Sequence, residues 1–151
     1  VIFGVSMGGA TTMMTSGINL PRQVKAFVED CGYDSLNAEL NYEAGNLYNI
    51  PRVIRAPLIG SLSLINRVKN GFYTHEASST AMLARNHRPM LFIHGSKDTF
   101  VPTKMVYQNY AAMKGPKKLW VVKGAKHAAS YEKESHEYPQ HVARFLNQYV
   151  K

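Results

Sequence analysis

Val1-Ile2-Phe3-Gly4-Val5-Ser6-Met7-Gly8-Gly9-Ala10 decides how this chain is to be read. Val1-Ile2-Phe3 has the character of the end of a buried β-strand. Ala10-Thr11-Thr12-Met13-Met14 has that of the first turns of a helix. A strand, a tight turn and a helix around Gly-x-Ser-x-Gly form a nucleophile elbow, in which the serine is held on a strained turn with its hydroxyl clear of the sheet. Gly4 and Gly8 suit such a turn, because residues without a Cβ let strand and helix pass closely. The backbone N–H of Met7, at the helix start, is placed to meet a developing oxyanion. A Gly-rich turn ahead of any helix would give the same six residues, so what separates the two readings lies downstream.

At 151 residues the chain is one domain's worth, and an apolar share of 45% supplies a sizeable core. No apolar run approaches the roughly 20 residues needed to cross a bilayer. The chain opens inside an apolar strand without a Met or a leader, which is the appearance of a piece of a longer protein. The expected location is cytoplasmic, the alternative being a membrane anchor carried on an absent N-terminal segment. Cys31 is the only cysteine. It excludes an internal disulfide framework and offers no Cys/His metal constellation. The net charge of +8 would suit a polyanionic partner, but Lys and Arg are spread along the chain, with only Lys114 and Lys117-Lys118 clustered. No nucleic-acid-binding motif accompanies them, and nucleic acid is not expected as a partner.

Met7–Thr15 is expected as the elbow helix, and the apolar run Val24–Glu29 as the next strand. Residues 34–88 are expected to be mostly helical and partly a cap. One helix starts at Asp34 or Ser35 and runs towards Tyr48, a second is opened by Pro57 and runs Leu58–Val68, and a third runs Glu76–Arg85. Leu58, Leu62 and Ile65 would share one face of the second. Tyr42, Tyr48, Phe72 and Tyr73 either line an acyl pocket or pack the cap onto the body. Pro89–Gly95 is the clearest strand, apolar on both faces as in a parallel sheet covered on both sides. A helix over Thr103–Met113 with Thr103 as cap, a strand over Lys118–Val122 and a helix over Pro139–Tyr149 complete the order. The fold class is therefore α/β: a parallel sheet of about four strands, helices on both faces, and a helical cap segment.

A serine hydroxyl is a poor nucleophile near neutral pH. It needs a base, and the base needs a carboxylate to fix its tautomer and stabilise its cation. Asp98 follows the clearest strand and His127 follows the last one, so both stand with Ser6 at strand carboxyl ends, where open α/β sheets place their sites. The order Ser, Asp, His is that of an α/β hydrolase. Asp30 is the rival acid, since it also follows a strand. Phe100 and Tyr131 border the site in sequence as candidate substrate contacts, with packing as the other reading. His75, His87, His94, His136 and His141 carry no motif and are expected to be structural or solvated.

With these pieces assembled, the chain resembles the C-terminal half of an α/β-hydrolase-fold serine hydrolase. It is similar to bacterial enzymes of the serine-aminopeptidase-like and dienelactone-hydrolase-like groups. Gly4–Gly9, Glu29–Tyr33, Leu91–Gly95 with Asp98 and Val101-Pro102, and Lys123–His127 carry the likeness. The resemblance implies Ser6 as nucleophile, His127 as general base and acid, and Asp98 as orienting carboxylate, with no cofactor and no metal. It implies an ester or acyl substrate, with peptidase, acyltransferase or inactive scaffold as alternatives. It also implies that strands five to eight of eight are present, and that the second oxyanion donor lies in an absent loop. Losing one such donor costs on the order of 10²–10³ in rate elsewhere, so the chain alone is expected to be weakly active or inactive. The missing half, or a second copy pairing at the exposed first strand, is the expected partner.

Overall fold

A computed structural model describes residues 1–150. Four strands form one sheet, β1 (Ile2–Val5), β2 (Phe27–Asp30), β3 (Met90–Gly95) and β4 (Lys117–Val122), in the spatial order β1-β2-β3-β4. Every pairing is parallel, with Gly4 opposite Glu29, Asp30 opposite Ile93 and Gly95 opposite Val122. Strands that point the same way need crossovers, and helices supply them. They are α1 (Met7–Ser16), α2 (Leu36–Asn46), α3 (Arg52–Asn70), α4 (Ser79–Leu83), α5 (Lys104–Ala112), α6 (Ser130–Lys133) and α7 (Glu137–Tyr149).

The period of two along a strand explains why the central strands are apolar at every position. Val28, Leu91 and Ile93 point to one face, where Phe145 and Tyr138 of α7 cover them. Phe27, Met90 and Phe92 point to the other, against Met13 of α1 and Val106 of α5. Each fully buried side chain of Phe92's size contributes about 1.5–3 kcal/mol of transfer free energy.

β2 begins at Phe27, three residues later than the apolar run suggests. The carbonyls of Leu20, Pro21 and Val24 are taken by the Arg88 guanidinium, which ties this loop to the entry of β3. α2 starts where expected, with Ser35 Oγ accepting from the Ala38 N–H. α3 departs from expectation. It opens at Arg52 and carries Pro57 inside it. The proline lacks the N–H that would reach the Val53 carbonyl, and Val53 is exposed enough for solvent to take that carbonyl. Leu58, Leu62 and Ile65 are exposed rather than packed. The stretch expected as a third helix splits into a 3₁₀ turn, Thr74–Glu76, and the short α4. Leu83 of α4 is buried with Met13 and Phe27, so this end packs into the body. Thr103 does not cap α5, because its hydroxyl donates to the Gly95 carbonyl.

The elbow imposes its own sterics. A Cβ on Gly4 would run into the Gly8 carbonyl and Thr12 Oγ1, whereas one on Gly8 would meet nothing. Gly9 is the second crowded position, where a Cβ would lie 2.9 Å from the Asp30 carbonyl oxygen. The close approach thus belongs to Gly4 and Gly9, not to Gly4 and Gly8. Gly4→Ala is expected to lower the unfolding free energy by about 1–3 kcal/mol, the usual cost of overpacking. Chemical denaturation checks this, and an unchanged midpoint would show that α1 can back away from β1.

Candidate active site

Ser6 sits between β1 and α1 with φ 57° and ψ −119°, in a region that a residue with a Cβ rarely adopts. Its backbone is pinned on both sides. The Ser6 N–H donates to the Asp30 carbonyl at 2.8 Å, and the Ser6 carbonyl accepts from Ala10 at 3.0 Å. Cys31 (φ 51°) and Ala128 (φ 54°) are further non-glycine residues with positive φ, and they flank the same spot. Backbone strain therefore concentrates around one point at the carboxyl edge of the sheet.

At that point three side chains from three strand ends meet. Ser6 Oγ lies 2.7 Å from His127 Nε2, and His127 Nδ1 lies 2.8 Å from Asp98 Oδ2. The carboxylate can only accept, so Nδ1 carries the proton and Nε2 is left to accept from the serine hydroxyl. Met7 is the first residue of α1, and its N–H is one of those a helix start leaves free.

Asp98 is held from four directions. Oδ1 accepts from the N–H groups of Phe100 and Val101, both at 3.0 Å. Oδ2 faces His127 and, at 3.3 Å, His94 Nε2. Burial alone would raise its pKa. The hydrogen bonds from His127 and His94 outweigh burial and bring it down to about 2. The hydrogen bond to Asp98 raises the pKa of His127 from its ordinary value, against the opposing effect of burial.

The rival acid is occupied elsewhere. Asp30 accepts from Ser130 Oγ and from Tyr138 OH, both at 3.0 Å, and so anchors α6 and α7 to β2. Phe100 lies against the His127 ring, with centroids 4.8 Å apart. Tyr131 packs edge-on against Tyr138 and stays exposed. Tyr42 donates its hydroxyl to the Thr99 carbonyl, and Asn46 does the same with its amide. These bonds fasten α2 to the loop that carries Asp98. Tyr48 lines a hollow of about 270 Å³ with Leu58 and Leu62. Tyr73 stacks on His75 instead.

Sequence reasoning left out three groups near the site. His94, expected to be structural, touches Asp98, and its position four residues before the acid was the available signal. Glu39 and Glu43 of α2 are the others, and they act electrostatically on His127. Burial, then the neighbouring Glu43, push Glu39 up to about 7. Cys31, Asp98 and His127 each bring a ligand-type atom within 4.8 Å of the others, a grouping not foreseen. Asp98 and His127 already bond to each other, and burial pushes the Cys31 thiol up, away from the thiolate a metal would need.

Comparisons with known proteins bear on the family and the fold. The prolyl oligopeptidase family description matches residues 1–151. YqkD of Bacillus subtilis, an uncharacterized protein, is 28% identical over 146 residues, 97% of this chain and 47% of that protein. This chain thus spans about half the length of the curated relative it matches. The esterase domain of a Rhodothermus marinus protein superposes with a TM-score of 0.69 at 17% identity, over 99% of this chain and 60% of that one. Pyrococcus horikoshii acylaminoacyl peptidase superposes with a TM-score of 0.70 at 17% identity, over 96% of this chain and 23% of that one. A puromycin-hydrolyzing peptidase of Mycobacterium tuberculosis gives a TM-score of 0.66 at 21% identity, over 96% and 21%. Likeness at these identities is likeness of fold. Among the described residues no helix is long and apolar enough to cross a membrane.

Proposed function

The chain belongs to the prolyl oligopeptidase family, and from that premise we propose that it acts on carboxylic esters through an acyl-enzyme on Ser6. One observation carries the reading: the serine hydroxyl and the Asp98 carboxylate address opposite nitrogens of one imidazole, at 2.7 and 2.8 Å. Ser6 Oγ attacks the carbonyl carbon and its proton passes to His127 Nε2. The carbonyl oxygen becomes an oxyanion beside the Met7 N–H. His127 then returns the proton to the alkoxide, and the alcohol leaves. Water repeats the cycle on the acyl-serine, releasing the acid and restoring the Ser6 hydroxyl. A peptide bond would pass through the same steps with an amine leaving, and the peptidases of the family favour this as the second reading.

The free edge of β1 supports a further element of the proposal. Phe3 and Val5 are exposed on the outermost strand. The esterase domain and YqkD are each considerably longer than this chain. Additional sequence of the parent protein, or a second copy, would pair along β1 and bring the second oxyanion donor.

A fluorophosphonate tests the assignment. The phosphorus should bond to Ser6 Oγ with loss of fluoride, giving one adduct by intact mass that is absent from Ser6→Ala. A folded protein of full natural length that gains no mass would overturn the hydrolase reading.

The pH dependence has a definite sign. His127 must be neutral to accept the proton, and its pKa is raised in the folded protein. Activity should therefore rise with pH as His127 deprotonates, with the midpoint of kcat/KM above the ~6.5 of a free imidazole. A midpoint below that value, or a flat profile, would contradict His127 as the base.

A further inference from the structure

α3 is amphipathic with its faces reversed. Arg55, Ile59, Ser63 and Asn66 recur at helical spacing and turn towards the body. Ser63 is buried and accepts from the Thr74 N–H, Arg55 Nε donates to the Ile50 carbonyl, and Asn66 Nδ2 donates to the Phe72 carbonyl. The opposite face is apolar. Val53, Ile54, Leu64, Ile65 and Val68 lie along it, and all five are more than half exposed, Val53 and Val68 at 84% and 80%. Ser61, the hydroxyl on this face, donates to the Pro57 carbonyl within the helix. A surface helix ordinarily turns its apolar stripe inward. Single apolar side chains on a surface need no explanation, but a contiguous row marks a site of interaction.

The charge around this row has one sign. Residues 44–75 contain no Asp or Glu, while Arg52, Arg55, Arg67 and Lys69 all stand on α3. Lys69 follows Ile65 by four residues and Arg67 follows Leu64 by three, so the two border the apolar row on opposite sides. Both are exposed. Apolar side chains rimmed by cations alone complement a partner that is negative at its surface and apolar beneath. A second copy of the same face would set cation against cation across a two-fold axis. α3 packs mainly on α2 and on the 3₁₀ turn Thr74–Glu76. Its outer side is thus a ridge rather than a groove, a shape that a fluid bilayer accepts. With four cations and an internal proline α3 does not span a bilayer, and its pattern is that of a helix lying in the membrane surface.

We infer that the outer face of α3 docks the protein onto an anionic lipid surface. Val53, Leu64 and Val68 sink below the headgroups, while Arg67 and Lys69 pair with lipid phosphates at the two edges of the row. Docking through this face requires no turnover and does not rest on the hydrolase reading.

The test uses the protein expressed from its complete reading frame, with a solvatochromic amino acid encoded in place of Val68. Vesicles of phosphatidylcholine alone are compared with vesicles in which phosphatidylglycerol replaces part of it. Emission should shift to the blue with the anionic vesicles and be quenched by doxyl groups on their acyl chains. The shift should weaken as added salt screens the cations. Lys69→Gln should raise the lipid concentration that gives half of the shift by about fivefold, the effect of one cation near an anionic membrane. Arg67→Gln should act alike, and helix content by circular dichroism should change in neither variant. An exposed probe that does not shift overturns the inference. So do equal shifts with the two kinds of vesicle, or a half-point that Lys69→Gln leaves unmoved in a folded protein. A probe already blue-shifted before lipid is added, and unchanged by it, overturns the inference too. Protein then covers α3, and sedimentation equilibrium would say whether it is a second copy or more of the parent chain. None of these readouts depends on Ser6, so failure of the hydrolase reading would leave the docking face standing.

Discussion

Ser6→Ala is expected to lower ester turnover by about 10⁴-fold or more, the scale on which a serine nucleophile's loss is felt in other triads. The substitution removes one oxygen and little else. Alanine keeps the Cβ, so the unusual φ of 57° and ψ of −119° are no harder for it than for serine. The two backbone bonds that pin this position, to Asp30 and from Ala10, involve main-chain atoms and survive. Thermal unfolding should therefore change little while turnover collapses, and KM for a neutral ester should move far less than kcat. Comparing circular-dichroism melts with p-nitrophenyl acetate kinetics checks both. A variant that keeps its rate would remove Ser6 from the mechanism.

Asp98→Asn should cost about 10⁴ in kcat, the loss seen when the equivalent acid of a serine protease is made an amide. The reason is a matter of tautomers. Oδ1 of the asparagine would still accept from Phe100 and Val101, which directs the amide NH₂ towards the two histidines. An NH₂ donates, so His127 Nδ1 would have to accept, and the ring proton would move to Nε2. That nitrogen could then no longer take the proton of Ser6, 2.7 Å away. The raised pKa of His127, owed first to Asp98, should fall as well. Imidazole signals in a proton NMR titration would report this shift. A variant with near-normal kcat, or an unmoved His127 pKa, would show that another carboxylate serves the histidine.

The parts of the site that were legible in the sequence are those that depend on local patterns. Ser6 is announced by its flanking strand and helix. Asp98 and His127 stand a few residues after two strands whose apolar character is unambiguous. The choice between Asp98 and Asp30 was not legible in the same way. It depends on Ser130 and Tyr138, about a hundred residues downstream, folding back to occupy Asp30. α3 was misplaced because an internal proline ordinarily argues against a helix. Here the affected turn lies at the surface, and the penalty is correspondingly small. Nothing in residues 39–43 records that the face carrying Glu39 and Glu43 turns towards the loop after β3. Burial of charge is a tertiary fact, and it appears only once Tyr42 and Asn46 have found Thr99.

The three triad residues enter from β1, β3 and β4 and from no shared helix or hairpin. Their mutual distances are therefore a gauge of the whole sheet. A slip of one residue between neighbouring strands displaces a side chain by about 3.3 Å and turns it to the opposite face, which would break both short bonds of His127. If the fluorophosphonate labels Ser6 as proposed, that labelling would also serve as a folding assay. During refolding, the time at which labelling appears would mark the moment when all four strands are in register, later than any signal that reports helix content alone.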